Sequence, residues 1–286
     1  MNDNTELGLY HYKLIFSIEE KIYSIKDEKL LFQTLADDLK NNTSAQMGIV
    51  FRLYGSKLTP ESCFGLDINM LKDMDFSRQS GYAGWVMEYN LPLKSDNVST
   101  DKRLSSISDP VVGTGIKINS ILAVPVIQDK ELLGIIELIN SSSSFTAQDL
   151  RVLTVVARHL AVNLKNRQLT ADLSGRCNYL SKIVNNLSSG LLVLEENGKI
   201  IISNPKALEI LNLAHRPSDL SEIDNELSPS IKTLLKNKKN LSRQELIWKD
   251  KVIGYACMTV KDENMENNGI IFLFQDITAY KKVEGK

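Results

Sequence analysis

From Thr146 to Asn186 the chain contains no proline, and the next one is Pro205. The stretch opens with a helix start signal. Thr146 stands at the N-cap and Asp149 three residues on, where a carboxylate can reach back to free N–H groups. Apolar residues then recur at alternating steps of three and four through Leu150, Leu153, Ala157, Leu160, Leu164 and Ala171. After a break in phase they resume at Leu173, Cys177, Leu180, Val184 and Leu187. This spacing predicts a coiled-coil seam with a phase shift, not the broad stripe of a helix buried in one core. A continuous helix here would be about 60 Å long at about 1.5 Å rise per residue. The regions on either side read as compact units of strands and helices, so the helix is the spine between two domains.

At 286 residues the chain has room for both. Its 43% hydrophobic and 24% charged residues are those of a soluble globular protein. The net charge of −1 comes from acids and bases mixed along the chain, with no basic stripe, so nucleic acid is not an expected partner. Apolar runs such as Ile118 to Ile127 are too short to span a membrane, and the N-terminus MNDNTELGLYHYK has no signal core. The expected location is cytoplasmic. Cys63, Cys177 and Cys257 are widely spaced and form no CxxC or Cys/His cluster, which predicts reduced thiols and neither a zinc site nor a disulfide framework.

Residues 1–27 are expected as an N-terminal helix, 28–163 as the first domain, 164–186 as the linker helix and 187–286 as the second domain. Leu9 to Asn42 reads as mostly helical, with an edge of Ile15, Ile18, Ile22 and Ile25, a second of Leu30, Leu31, Leu35 and Leu39, and a break at Lys26-Asp27. The first part could pair with its copy in a dimer or with the spine helix. Gln46–Tyr54 and Lys57–Phe64 form a hairpin turning at Gly55-Ser56. A short helix or loop at 67–75, a helix over Gly81–Glu88 opening after Ser80, an extended run at Leu91–Asn97 and a polar loop to Gly115 follow. Ser120–Gln128 and Glu131–Asn140 are strands joined by the tight turn Asp129-Lys130. In the second domain Gly190–Glu195 and Lys199–Ser203 flank Asn197-Gly198, a hairpin signal. Asn204 caps a helix with Pro205 at its first position. A polar, mostly helical stretch runs to Asn240, and strands at Arg243–Trp248, Val252–Val260 and Gly269–Gln275 close the chain. The fold class is α+β, of the α/β-type sandwich kind: two domains, each an antiparallel sheet with helices, joined by a long coiled-coil helix.

Several of these residues carry a resemblance. Gly81-x-x-Gly84-Trp85-Val86, Pro92 before an extended run, the Asp96/Val98/Asp101/Arg103 loop, the Ser120–Pro125 and Gly134–Asn140 strands and Phe145-Thr146-x-x-Asp149 resemble a GAF domain over about residues 28 to 165. GLLVLEENGKIIISNPKALEIL, with Gly190, Gly198, Asn204 and Ala207, and a closing Asp276-Ile277-Thr278, resemble a PAS domain over about 185 to 280. The tandem is similar to the input half of bacterial sensor histidine kinases and diguanylate cyclases. The resemblance implies a sensory module, dimeric through its coiled coil. It would bind a small ligand or a partner and signal to a kinase, cyclase or transcription regulator. The alternative it implies is the input half of a larger signalling enzyme whose catalytic domain lies outside this chain, with Ala279 to Lys286 as an outgoing connector.

Some GAF domains that bind cyclic nucleotides carry an Asn-Lys…Phe…Asp-Glu motif. Here Asn140, Ser141, Phe145, Asp149 and Leu150 hold those positions, so the Lys and Glu are replaced. Asn140 and Asp149 then read as turn and cap residues. No Cys-His pair is present for a bilin, since Phe64 follows Cys63. Of His11, His159 and His215, His159 at the seam is the one placed to act as a pH switch. No GxSxG, Walker loop, paired-carboxylate motif or GGDEF-like run occurs, so the chain is expected not to be an enzyme. Lys236–Lys239 reads as a solvated helix end. A sheet with helices over one face leaves a concave apolar space. Its expected lining is Phe51, Trp85, Val98, Ile121 and Ile136 in the first domain. In the second it is Leu192, Ile201, Leu211, Trp248, Tyr255 and Phe272. No particular cofactor follows.

Overall fold

The computed structural model describes residues 16, 18–78, 80–223, 227–237, 240–261 and 267–284. The chain divides into two compact units, Met1–Ala171 and Asp172–Lys286. The predicted helix residues before 16, with His11 and Ile15, lie outside the described residues, as do Lys238 and Lys239.

The first unit is built on a five-stranded antiparallel sheet of order β2-β1-β5-β4-β3. Its strands are β1 (Ala45–Tyr54), β2 (Lys57–Phe64), β3 (Leu93–Ser95), β4 (Ile121–Gln128) and β5 (Glu131–Ser141). The inner strands β1, β5 and β4 are continuous apolar runs. Five consecutive residues of β1 and eight of β5 are buried. Such runs need cover on both faces, and this sheet has it. The two-residue turn between β4 and β5 puts both Asp129 (φ 52°) and Lys130 (φ 67°) in the left-handed region, as a hairpin of matching twist requires.

One face is covered by α1 (residues 18–24), α2 (Glu28–Asn41) and the start of α5 (Ala147–Asn185). Residues 25–27 break the first two helices apart, as predicted, and the Asp27 carboxylate caps α2 by accepting from the Leu30 N–H at 2.7 Å. Leu31, Leu35 and Leu39 are buried, but Leu30 is turned to solvent. Of the two partners expected for the N-terminal helix, the structure places it on the spine. Ile18 and Ile22 pack with the α5 residues Val156 and Leu160, and Asn163 Nδ2 donates to the Ile22 carbonyl at 2.8 Å. Arg167 donates to the carbonyls of Ile25 and Lys26. The opposite face is covered by α3 (Ile68–Leu71), α4 (Gly81–Tyr89) and the β3–β4 connection, which holds a 3-10 turn at Pro110–Thr114.

Helix α5 starts at the predicted cap. The Thr146 N–H donates to Asp149 Oδ2 at 2.7 Å, and the Asp149 N–H donates to Thr146 Oγ1 at 3.1 Å, a reciprocal capping box. The helix is continuous through the predicted phase shift. Its first half corrects the sequence reading: Val152, Leu153, Val156, Ala157, Leu160, Ala161 and Leu164 form a broad buried stripe in the first unit's core, not a seam. From residue 168 to 183 every position is exposed, including Leu173 at 63% and Leu180 at 59%. The change of phase thus marks where the helix leaves one core.

The second unit also has a five-stranded antiparallel sheet, of order β7-β6-β10-β9-β8. The strands are β6 (Gly190–Glu195), β7 (Ile200–Ser203), β8 (Leu241–Trp248), β9 (Lys251–Lys261) and β10 (Asn267–Asp276). Between β7 and β8 lie α6 (Pro205–Leu211), a 3-10 turn at Leu220–Glu222 and α7 (Leu227–Asn237). They close one face over Leu192, Ile210, Leu220, Ile231 and Phe272. Residues 212–219 are not helical, so the predicted helical stretch is in pieces. Pro205 follows the predicted cap Asn204, which is fully buried. Its Oδ1 accepts from the N–H groups of Leu191 and Ala207, both at 2.9 Å, and its Nδ2 donates to the carbonyls of Val184 and Ser189. Asp276 receives the Thr278 N–H at 3.0 Å and opens α8 (Thr278–Glu284).

Candidate functional site

Side chains alternate across a strand, and β5 shows what that means for the first unit. Ile136 and Leu138 face α2 and α5, whereas Ile135 and Ile139 face α4 and the β3–β4 connection. Glu137 shares the second face. It stands between those two isoleucines, opposite Ile49 on β1 and Ala123 on β4, and is 1% exposed. No hydrogen bond reaches its carboxyl group from any of the described residues.

A second acid lies close by. Asp109 is 3% exposed. Its Oδ2 accepts from the Tyr82 N–H at 2.8 Å and its Oδ1 from the Val111 N–H at 2.9 Å. One carboxylate from a distant loop therefore caps both α4 and the 3-10 turn. Ser80, where the sequence placed the opening of α4, makes no side-chain cap. The close approach depends on Gly81, at φ 71°: a Cβ there would lie 2.6 Å from Asp109 Oδ2. A side chain at this position would push the acid off the helix end.

The electrostatics follow from burial and proximity. Burial raises the Glu137 carboxyl well above its usual range, and the neighbouring charge of Asp109 raises it further. Asp109 is also raised by burial, against the pull of its two backbone donors. The Tyr82 hydroxyl is pushed up to about 12 by burial and then by both acids. Outside this face the balance reverses. Hydrogen bonds from Arg103 hold Asp101 far below the ordinary carboxylate range, with an Nη2–Oδ2 distance of 2.6 Å.

Of the expected lining residues, Phe51, Val98 and Ile121 are buried in the cluster on the Glu137 face, with Trp85 partly buried against it. The Phe51 ring lies 4.9 Å from that of Phe76, tilted at 57°. Trp85 lies 4.8 Å from Tyr89, with the Arg103 guanidinium 5.8 Å from its ring. Ile136 is a correction: it faces the helices and is packed in the other cluster. The cavity on that side, at Leu39, Phe145, Val152 and Leu153, measures about 20 Å³, room for about one water. It is core, not a ligand site. Sequence reasoning missed Tyr82, Asp109 and Glu137. The available signal was a single acid in the middle of the apolar run LLGIIELIN.

In the second unit Leu192, Leu211, Trp248 and Phe272 share one core, with Tyr255 at its margin. Phe272 lies between Tyr255 at 5.4 Å and Phe274 at 5.2 Å. Ile201 is the second correction. It is 58% exposed and borders an open groove of about 320 Å³ with Leu180, Val184, Arg216 and Pro217.

Other candidate groups have local roles. Asn140, at φ 53°, turns the chain: its Oδ1 accepts from the Asn119 N–H at 2.7 Å and its Nδ2 donates to the Lys117 carbonyl at 2.7 Å. His159 faces α1 and not a seam, with Tyr23 edge-on at 6.4 Å and Glu19 at 3.6 Å. His215 is exposed beside Glu222. Burial raises the thiols of Cys63 and Cys257, while Cys177 is exposed. Among the described residues no group of three or more His, Cys, Asp or Glu is placed to hold a metal ion. None of their helices is long and apolar enough to cross a membrane.

Residues 27–164 match the family model of the GAF domain. The GAF domain of a phosphoenolpyruvate-protein phosphotransferase from Coxiella burnetii is 16% identical to this chain, with a TM-score of 0.52, covering 57% of this chain and 98% of that one. The GAF domain of the corresponding Acinetobacter protein is 14% identical, with a TM-score of 0.49, covering 59% and 97%. The E. coli DhaR(N)–DhaL complex matches at 15% identity and a TM-score of 0.48, covering 94% of this chain and 89% of that one. Comparison with curated proteins gives no match. By the family model, residues 27–164 form a GAF domain, a sensory and regulatory fold, and the second unit is an antiparallel-sheet domain of α+β class.

Proposed function

We propose that this chain is a cytoplasmic, non-enzymatic sensory module that works as a homodimer. The GAF domain takes a small ligand, and the second unit is a PAS-like domain. Occupancy is passed along α5 to a kinase, a cyclase or a transcription regulator. The observation that carries this reading is the exposed half of α5. Leu173, Cys177 and Leu180 keep the three-four spacing of a seam while standing in solvent, on a helix continuous with the GAF core. An exposed row of this kind is hidden when two copies pair.

Cys177 is a built-in probe, because it is the exposed cysteine of the three and lies on the seam. In a parallel, in-register pair its two copies face each other within disulfide reach. Mild oxidation with copper–phenanthroline should give a covalent dimer on a non-reducing gel, and Cys177→Ser should remove it. A monomer by sedimentation at micromolar concentration, with no cross-link, would remove the premise. A second reading, the input half of a larger signalling enzyme, is favoured by α8, where Tyr280 and Val283 lie three residues apart and exposed at 70% and 75%. A catalytic domain would be driven through that helix.

A further inference from the structure

We infer that the Glu137 face of the GAF sheet takes a small molecule with a cationic nitrogen, an ammonium or guanidinium, and that Glu137 and Asp109 are its counter-charges. This deepens the sensory reading and rests on it. Glu137 is 1% exposed, at the centre of the sheet, and no donor from the described residues satisfies it. Buried polar groups are as a rule hydrogen-bonded, because each unmade bond forfeits the solvation the group gave up. Asp109 obeys that rule through two backbone N–H groups. Among the described residues Glu137 has no such donor, and a ligand group could supply it.

The sign of that partner follows from the neighbours. Glu137 is influenced by burial and then by the charge of Asp109, a second acid, and Asp109 by burial and by backbone donors. An incoming cation relieves both acids together. An incoming phosphate or carboxylate would add a third negative group to an apolar enclosure. The surroundings suit an organic cation. Tyr82, Phe51 and Phe76 lie in the same cluster, and aromatic faces attract ammonium and guanidinium groups. Val98, Leu104 and Val111 of the β3–β4 connection close the site over, so entry requires that connection to move.

Binding a cation favours the carboxylate form of Glu137, so a proton held there would be released to solvent. The full-length chain would be titrated calorimetrically with phenethylamine, agmatine, 3-phenylpropionate and 3-phenylpropanol, each in two buffers of different ionisation enthalpy. Infrared difference spectra would follow the carboxyl band. The expected result is saturable binding of at least one amine, with a change in the carboxyl region of the difference spectrum. At least a tenfold weakening should follow in Glu137→Gln. The infrared readout on the unmutated chain stands even if a variant folds poorly. Binding of 3-phenylpropionate or of the alcohol in preference to both amines would overturn the cation and leave the sensory reading intact. No heat from any of the four, with no spectral change, would overturn the cation too. Only the further failure of a broad metabolite library would count against ligand sensing itself.

Discussion

The side-chain amide of Asn204 donates to the carbonyl of Val184 at 3.1 Å, and that carbonyl belongs to the last turn of α5. It is one of the last carbonyls of the helix, met from the backbone of the described residues only by a long 3.4 Å bond from the Leu187 N–H. Through its other three bonds the same side chain holds β6, the loop before it and the first turn of α6. Asn204→Ala strips all four partners at a buried position. It should destabilise the second unit by roughly 2–4 kcal/mol in urea unfolding. Asn204→Asp keeps the two acceptor bonds and loses the two donor bonds, so it should fall between wild type and alanine.

Stability should fall as pH rises past the mildly acidic range. Glu137 and Asp109 are raised above their ordinary values of 4.5 and 3.8, so in the window above those values the folded chain holds protons that the unfolded chain has released. There the unfolded state binds fewer protons, and unfolding free energy declines with pH. Asp101, held low by Arg103, acts with the opposite sign and only towards acid. Denaturant midpoints at about pH 5.5 and about pH 8 should differ in favour of the lower pH. Glu137→Gln should shrink that difference and gain roughly 1–3 kcal/mol at the higher pH. Equal midpoints for wild type at both pH values would contradict the burial of the pair.

Lys130 occupies a left-handed position at φ 67°, where a side chain is strained and glycine is not. Lys130→Gly converts the turn to Asp-Gly, a preferred pair for this geometry. A gain of about 1 kcal/mol in stability of the GAF domain is expected. A loss would mean that the lysine side chain contributes more than its backbone costs.

Arg167 ties α5 to the end of α1 by donating to the carbonyls of Ile25 and Lys26. Arg167→Ala should leave the GAF sheet protected and speed amide exchange over residues 18–24. A loss of roughly 1–3 kcal/mol is expected, confined to that docking. Uniform acceleration across the sheet would place Arg167 in the global fold instead.

Much of this was readable in advance because single residues carried it. Asp129-Lys130, Asn204-Pro205 and Thr146/Asp149 are local signals, and each marks the element boundary it predicted. The errors share one physical cause. In GIIELIN and KIIIS apolar residues are adjacent, so the period-two alternation that assigns a face is missing. Ile136 and Ile201 were therefore assigned to the wrong side. The acid pair was missed because Asp109 and Glu137 lie far apart in sequence and meet only when the β3–β4 connection folds over the sheet. The seam was misread at its start because a helix packed into a core and a helix packed against its copy differ in stripe width more than in spacing.

The exposed half of α5 has no core of its own to hold it helical. Between residues 168 and 183 every side chain is exposed, so the backbone ladder is the main support against fraying, and isolated helices of that length are marginal in water. The order of this segment should then vary with protein concentration. On the proposed dimer, an unpaired copy would have this segment frayed and a paired copy would have it helical. The threshold between those regimes, and not the strength of ligand binding alone, would set the cellular abundance at which such a protein begins to report anything.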